Sequence, residues 1–123
     1  MAANILIVED SPTQALRLKL VLEKAGLKVE VATTGQEGLA KASRTSPRAV
    51  VLDVNLPDID GFRVCQQLKG QAATVDIPII MLTVKDRASD TLSGLESGAD
   101  AYIPKDDFAE TNLLQALRDL GIA

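Results

Sequence analysis

The sequence predicts an α/β fold: a doubly wound sheet of five parallel strands in the order 2-1-3-4-5, with helices on both faces. Three observations predict it. Apolar runs alternate with segments of helical spacing about five times along the 123 residues, the pattern of successive βαβ units. Three of the runs, at 5–8, 49–52 and 79–82, are apolar at every position, as strands covered on both faces are. The other two are half polar or short, as edge strands are.

Residues 5–8 form the first strand. Ser11 then stands as an N-cap with Pro12 at the first helical position. Leu18, Val21, Leu22 and Ala25 give the stripe of the helix so opened, and Gly26 stops it. Residues 29–32, preceded by Lys28, alternate in polarity and read as an edge strand. Residues 49–52 are the third strand. Cys65 falls with Phe62 and Leu68 on the third helix and reads as core packing. The fourth strand is expected over 77–82, followed by a helix striped by Ala88, Leu92 and Leu95. A short fifth strand covers 101–103 after Asp100, and Leu113, Leu117 and Leu120 stripe a final helix. With strands 1, 3 and 4 central, right-handed crossovers favour the order 2-1-3-4-5, the flavodoxin-like (βα)5 plan. Residues 1–123 fit one domain.

Composition narrows the function classes. Hydrophobic residues make up 46% of the chain and only three side chains are aromatic, Phe62, Tyr102 and Phe108, so the core is aliphatic. A formal charge of −4 argues against sequence-independent nucleic-acid binding, which needs a basic surface. There is no histidine, which excludes Ser-His-Asp and Cys-His catalysis, histidine metal sites and a phosphohistidine on this chain. The single cysteine allows no intrachain disulfide, and cytoplasm is the expected compartment. No signal peptide is visible, and no apolar stretch approaches the ~20 residues that span a bilayer.

In a sheet of this order the ligand site lies beyond the carboxyl ends of strands 1 and 3. Strand 1 runs into Glu9 and Asp10, and strand 3 into Asp53. Like charges ~5 Å apart repel by roughly 3 kcal/mol at an effective dielectric of 20, so three converging carboxylates must protonate or hold a cation. Hard oxygens with room for water suit Mg²⁺. One such acid would read as a solvated loop residue; three at two converging strand ends read as a site. Thr83 ends strand 4 and Lys105 follows strand 5. Singly, each is an ordinary strand-end or surface residue. Together with a metal they suit an arriving phosphoryl group, with Asp53 as nucleophile.

The sequence resembles a response-regulator receiver domain over essentially its whole length. The resemblance rests on ILIVEDS at 5–11, VVLDVNLPDIDGF around Asp53, PIIMLTVKD around Thr83 and GADAYIPKD around Lys105. It implies that Asp53 accepts a phosphoryl group from a phosphohistidine on a sensor kinase or phosphotransfer protein. It implies that Asp10 and Asp53 ligate Mg²⁺ directly, that Glu9 helps through a water, and that Asn55 supplies its backbone carbonyl. Thr83 and Lys105 would bind phosphoryl oxygens, and Tyr102 would be the switch aromatic that moves inward with Thr83. The output surface would be built from the fourth helix, fifth strand and fifth helix, and would meet a downstream effector protein, with a phosphorylation-dependent homodimer as a further association. No membrane or nucleic-acid contact is expected of this domain. Gly61 would serve the turn before the third helix through its tolerance of φ > 0.

One departure stands out. The family usually has proline directly after the lysine, often in a cis bond; here the order is Pro104-Lys105-Asp106. A non-proline cis bond costs ~3 kcal/mol, so Lys105-Asp106 is expected to be trans. Asp106 and Asp107 are expected to pair with Lys105 in the absence of phosphate.

The chain is expected to be a switch rather than an enzyme, self-phosphorylating and self-dephosphorylating at most. An aspartyl-phosphate hydrolase of the haloacid-dehalogenase type is the enzymatic alternative, but it needs a second aspartate where Asn55 stands. A receiver-shaped module that never meets phosphate is a third reading, weakened by the presence of both Asp53 and Lys105. Nucleotide or flavin binding lacks its glycine-rich loop, since EDSPTQ follows strand 1. With no output domain after the last helix, the chain reads as a stand-alone receiver or as the N-terminal part of a longer regulator.

Overall fold

β1 (Asn4–Val8), β3 (Ala49–Asp53) and β4 (Ile79–Thr83) form the centre of a parallel sheet, and β2 (Lys28–Ala32) and β5 (Ala101–Pro104) form its edges. The order is β2-β1-β3-β4-β5. A computed structural model describes residues 4–83 and 98–123. The helix expected on Ala88, Leu92 and Leu95, and the part of the output surface built on it, lie outside the described residues. The described helices are α1 (Pro12–Lys24), α2 (Gly35–Thr45), α3 (Gly61–Lys69) and α4 (Ala109–Asp119). None is long and apolar enough to cross a membrane.

Side-chain alternation splits the core into two layers. Leu6, Val8, Val50, Leu52, Ile79 and Met81 face Ala42 of α2 and Phe62, Cys65 and Leu68 of α3. Ile5, Ile7, Val51, Ile80 and Leu82 face Leu18 and Leu22 of α1 and Leu113 and Leu117 of α4. Both faces of the sheet are therefore covered, which is why three strands could be apolar throughout. The edge strand β2 is only partly buried along most of its length.

Several local expectations hold. Ser11 caps α1 by accepting the Gln14 N–H at 3.3 Å, and Pro12 follows it. Gly26 ends the same helix at φ +89°. Others need correction. Ala25 is not part of the buried stripe, because it is already the exposed C-cap; Ala15, Leu18 and Leu22 form that stripe. Leu120 is likewise a cap, 38% exposed, and Ile122 folds back to cover the core instead, its N–H reaching the Leu117 carbonyl at 2.8 Å. β4 starts at Ile79 rather than 77, since the Ile77 N–H closes a turn onto Thr74 at 3.0 Å and Pro78 follows without an N–H to give.

Candidate functional site

The parallel register sets the carboxyl ends of β1 and β3 side by side, with Val8 opposite Leu52. Glu9 and Asp10 therefore leave β1 next to Asp53. Carboxylate oxygens of Glu9, Asp10 and Asp53 lie within 4.8 Å of one another, as expected from topology. Asp10 is exposed, whereas Glu9 is 2% and Asp53 3% exposed. Thr83 ends the neighbouring strand and is also buried.

The charge crowding is relieved in two ways. Lys105 turns its ammonium inward, 2.9 Å from Asp53 Oδ1 and 3.3 Å from Glu9 Oε2. Burial, then the charge of Asp53, pushes the Glu9 carboxyl up to about 7, while Lys105 and the Ser11 N–H pull against that rise. The ammonium thus takes on part of the task that a metal would perform, and a donor set of three hard carboxylates fits Mg²⁺. Asn55 is exposed just beyond, and its N–H makes a long 3.4 Å contact to Asp53 Oδ1.

The pairing expected of Lys105 is corrected. It engages Glu9 and Asp53, not Asp106 or Asp107; the Asp106 carboxylate instead accepts the Phe108 N–H at 2.8 Å. The reason is geometric. The Lys105 N–H is tied to the Thr83 carbonyl at 2.6 Å, which holds the residue beside the end of β4 and the carboxylates. No cis peptide bond occurs among the described residues, in line with the expectation for Lys105-Asp106.

Gln14 was not among the expected site residues. Its Oε1 accepts from Lys105 Nζ at 3.0 Å, so with the two carboxylates it completes the three donors of the ammonium. In the sequence, a glutamine three residues after an N-cap serine signals a capping box, but the Ser11 N–H is given to Glu9 instead, leaving the Gln14 side chain for Lys105. Gly61 needs its own correction. It is the first residue of α3 and is not among the glycines of positive φ. A Cβ there would collide with the Asp53 carbonyl and lie 2.8 Å from the Val54 Cα. Close approach, not φ, requires glycine. Tyr102 packs against the layer containing Met81, and its hydroxyl is buried with no hydrogen-bond partner among the described residues.

The family model of the response regulator receiver domain matches residues 5–118. The chain belongs to that family. The receiver is 41% identical over 120 residues to the response regulator MprA of Mycobacterium tuberculosis, covering 98% of this chain and 51% of that protein. The receiver chain spans about half the length of the curated relatives it matches. Among solved structures, the receiver domain of a signal transduction histidine kinase from Syntrophus aciditrophicus is 40% identical, with a TM-score of 0.88 over 98% of this chain and 91% of that one. The receiver domain of a sensor histidine kinase from Pseudomonas aeruginosa is 27% identical, with a TM-score of 0.88 over 98% and 99%. That structure carries a magnesium ion coordinated in its active-site cleft.

Proposed function

We propose that this receiver accepts a phosphoryl group on Asp53 and switches a partner-binding surface in response. The observation that carries the reading is the meeting of three carboxylates within 4.8 Å, one of them 2.9 Å from a lysine ammonium. Glu9, Asp10, Asp53 and the Asn55 carbonyl would hold Mg²⁺. Bound there, the ion would neutralise charge gathered between carboxylates and phosphoryl oxygens.

Asp53 attacks phosphorus through a carboxylate oxygen. The bond from phosphorus to the donor nitrogen breaks, and its electron pair stays with the imidazole of the donor kinase or phosphotransfer protein. Lys105 gives up its contact with Asp53 and follows the charge onto a phosphoryl oxygen; the Thr83 hydroxyl donates to another. The new group carries about −2 charge, so both residues have reason to move. Tyr102 is suited to report that movement. A buried hydroxyl without a partner costs on the order of 1–3 kcal/mol, so its present pose competes closely with one in which the hydroxyl reaches water. That balance is what a switch needs. An effector protein then reads the altered surface, and the receiver works in the cytoplasm as a switch without a diffusible substrate of its own.

The near-complete burial of Asp53 is the one feature favouring a phosphate-independent module. Its neighbour at the site mouth, however, is the ammonium of Lys105, whose side chain is 24% exposed, rather than core packing alone. Incubation with Mg²⁺ and a small phosphodonor, followed by intact-mass measurement, tests the reading. The protein is expected to gain one phosphoryl group, only with Mg²⁺, and Asp53→Asn to gain none. A gain that persists in Asp53→Asn, or its absence in the wild type, removes the proposal.

A further inference from the structure

The loop between β3 and α3 carries Asn55, and its hold on the rest of the molecule is unusual. At its far end, Asp60 caps α3 by accepting the Phe62 N–H at 2.6 Å, and the Gly61 N–H closes back on the Val54 carbonyl at 2.8 Å. In its middle, Asp58 leaves the loop altogether. Its Oδ1 accepts the Gly35 N–H at 2.7 Å and its Oδ2 the Gln36 N–H at 2.8 Å. Both amides belong to the first turn of α2, more than twenty residues away in sequence.

α2 does not need Asp58 as a cap. Thr34 already accepts the Glu37 N–H at 3.1 Å, and Glu37 reaches back to accept the Thr33 N–H, one residue before the cap, at 2.9 Å. Asp58 takes the amides of Gly35 and Gln36, which neither Thr34 nor Glu37 reaches. Below the carboxylate, Gly35 packs so closely that a Cβ there would stand 2.5 Å from Ile59 Cγ1. The Gln36 amide, helped by that of Gly35, holds the Asp58 carboxyl below its ordinary value, so the bridge is a charged one.

We propose that Asp58 is a positioning residue for the metal site: its two-pronged bridge to Gly35 and Gln36 fixes the β3–α3 loop, and with it the Asn55 carbonyl, against α2. The role rests on the metal reading given above. A ligand held in place beforehand costs no ordering when the ion arrives. By linkage, the ion in turn steadies the first turn of α2, which makes that helix part of the metal site's support.

Mg²⁺ titration calorimetry on the wild type, Asp58→Ala, Asp58→Asn and Thr34→Ala tests the role, together with amide hydrogen exchange at Gly61 in metal-free protein. Asp58→Ala is expected to weaken Mg²⁺ about tenfold, the usual scale for loss of an outer-shell partner, and to speed Gly61 exchange. Asp58→Asn keeps one acceptor and should fall between it and the wild type. Thr34→Ala frays the same helix and lowers its melting temperature, yet should leave Mg²⁺ affinity within about twofold of the wild type. Unchanged affinity in Asp58→Ala, an equal loss in Thr34→Ala, or an Asp58→Asn as weak as Asp58→Ala overturns the positioning role, the last by showing that charge alone is at work. A wild type that binds no Mg²⁺ overturns the metal reading and the positioning role with it; faster Gly61 exchange in Asp58→Ala would then leave Asp58 as a loop anchor.

Discussion

At Glu9, burial and the neighbouring Asp53 act in the same direction, pushing the carboxyl from its ordinary 4.5 up to about 7 in the folded protein. The folded state therefore binds the extra proton between those values. The stability this gives is present below about pH 4.5 and lost as pH rises to about 7. A metal ion competes with the same proton, so Mg²⁺ should bind several-fold more tightly at pH 8 than at pH 6. Calorimetry on Glu9→Gln checks this: the difference between the two pH values should shrink, and an undiminished one would assign it to another group. Tyr102 gives a second residue-scale expectation. Tyr102→Phe removes a buried hydroxyl with no partner among the described residues and should raise stability by about 1 kcal/mol in denaturant titration. Identity and order were enough to bring Glu9, Asp10 and Asp53 to converging strand ends, where their carboxylates lie within 4.8 Å of one another. The inward turn of Lys105 and its bond to Gln14 were not legible, because they depend on how far the loop after β5 is drawn toward Thr83.

At the scale of elements, the end of β3 and the start of α3 are held closer than a side chain permits. Gly61→Ala would press its Cβ into the Asp53 carbonyl and should cost about 1–3 kcal/mol, the range for overpacking. Because the displaced backbone is that of the proposed phosphoacceptor, the variant should also accept phosphate more slowly under conditions where it remains folded. Chemical denaturation and a phosphorylation time course measure the two effects, and normal rates with normal stability would contradict the close approach. The cap at Ser11 was legible, where a short polar residue precedes proline at a helix start. Asp58 was not: its partners on α2 lie beyond any local window, and within the loop it looks like one turn residue among several.

For the whole molecule, the sheet carries apolar layers on both faces, and α1 and α4 share one of them through Leu22 and Leu117. Leu117→Ala empties a fully buried position and should cost about 2–5 kcal/mol. It stands far down α4 from the loop holding Lys105, so Mg²⁺ affinity of the folded protein should be kept. Strand order was legible in the chain because coverage dictates polarity: strands buried on both faces tolerate no alternation, and edge strands do. Boundaries were less so. Ala25 and Leu120 continue an apolar rhythm past the point where the helix caps, since periodicity is blind to the backbone turn that ends it.

The central claim is chemical and local: Asp53 is esterified by phosphorus. Reduction of the phosphorylated protein with borohydride converts an aspartyl phosphate to homoserine, and tandem mass spectrometry of the digest then locates it. Homoserine is predicted at position 53, dependent on both Mg²⁺ and phosphodonor. Homoserine at another position, or none in a protein that has gained phosphate, would contradict the account.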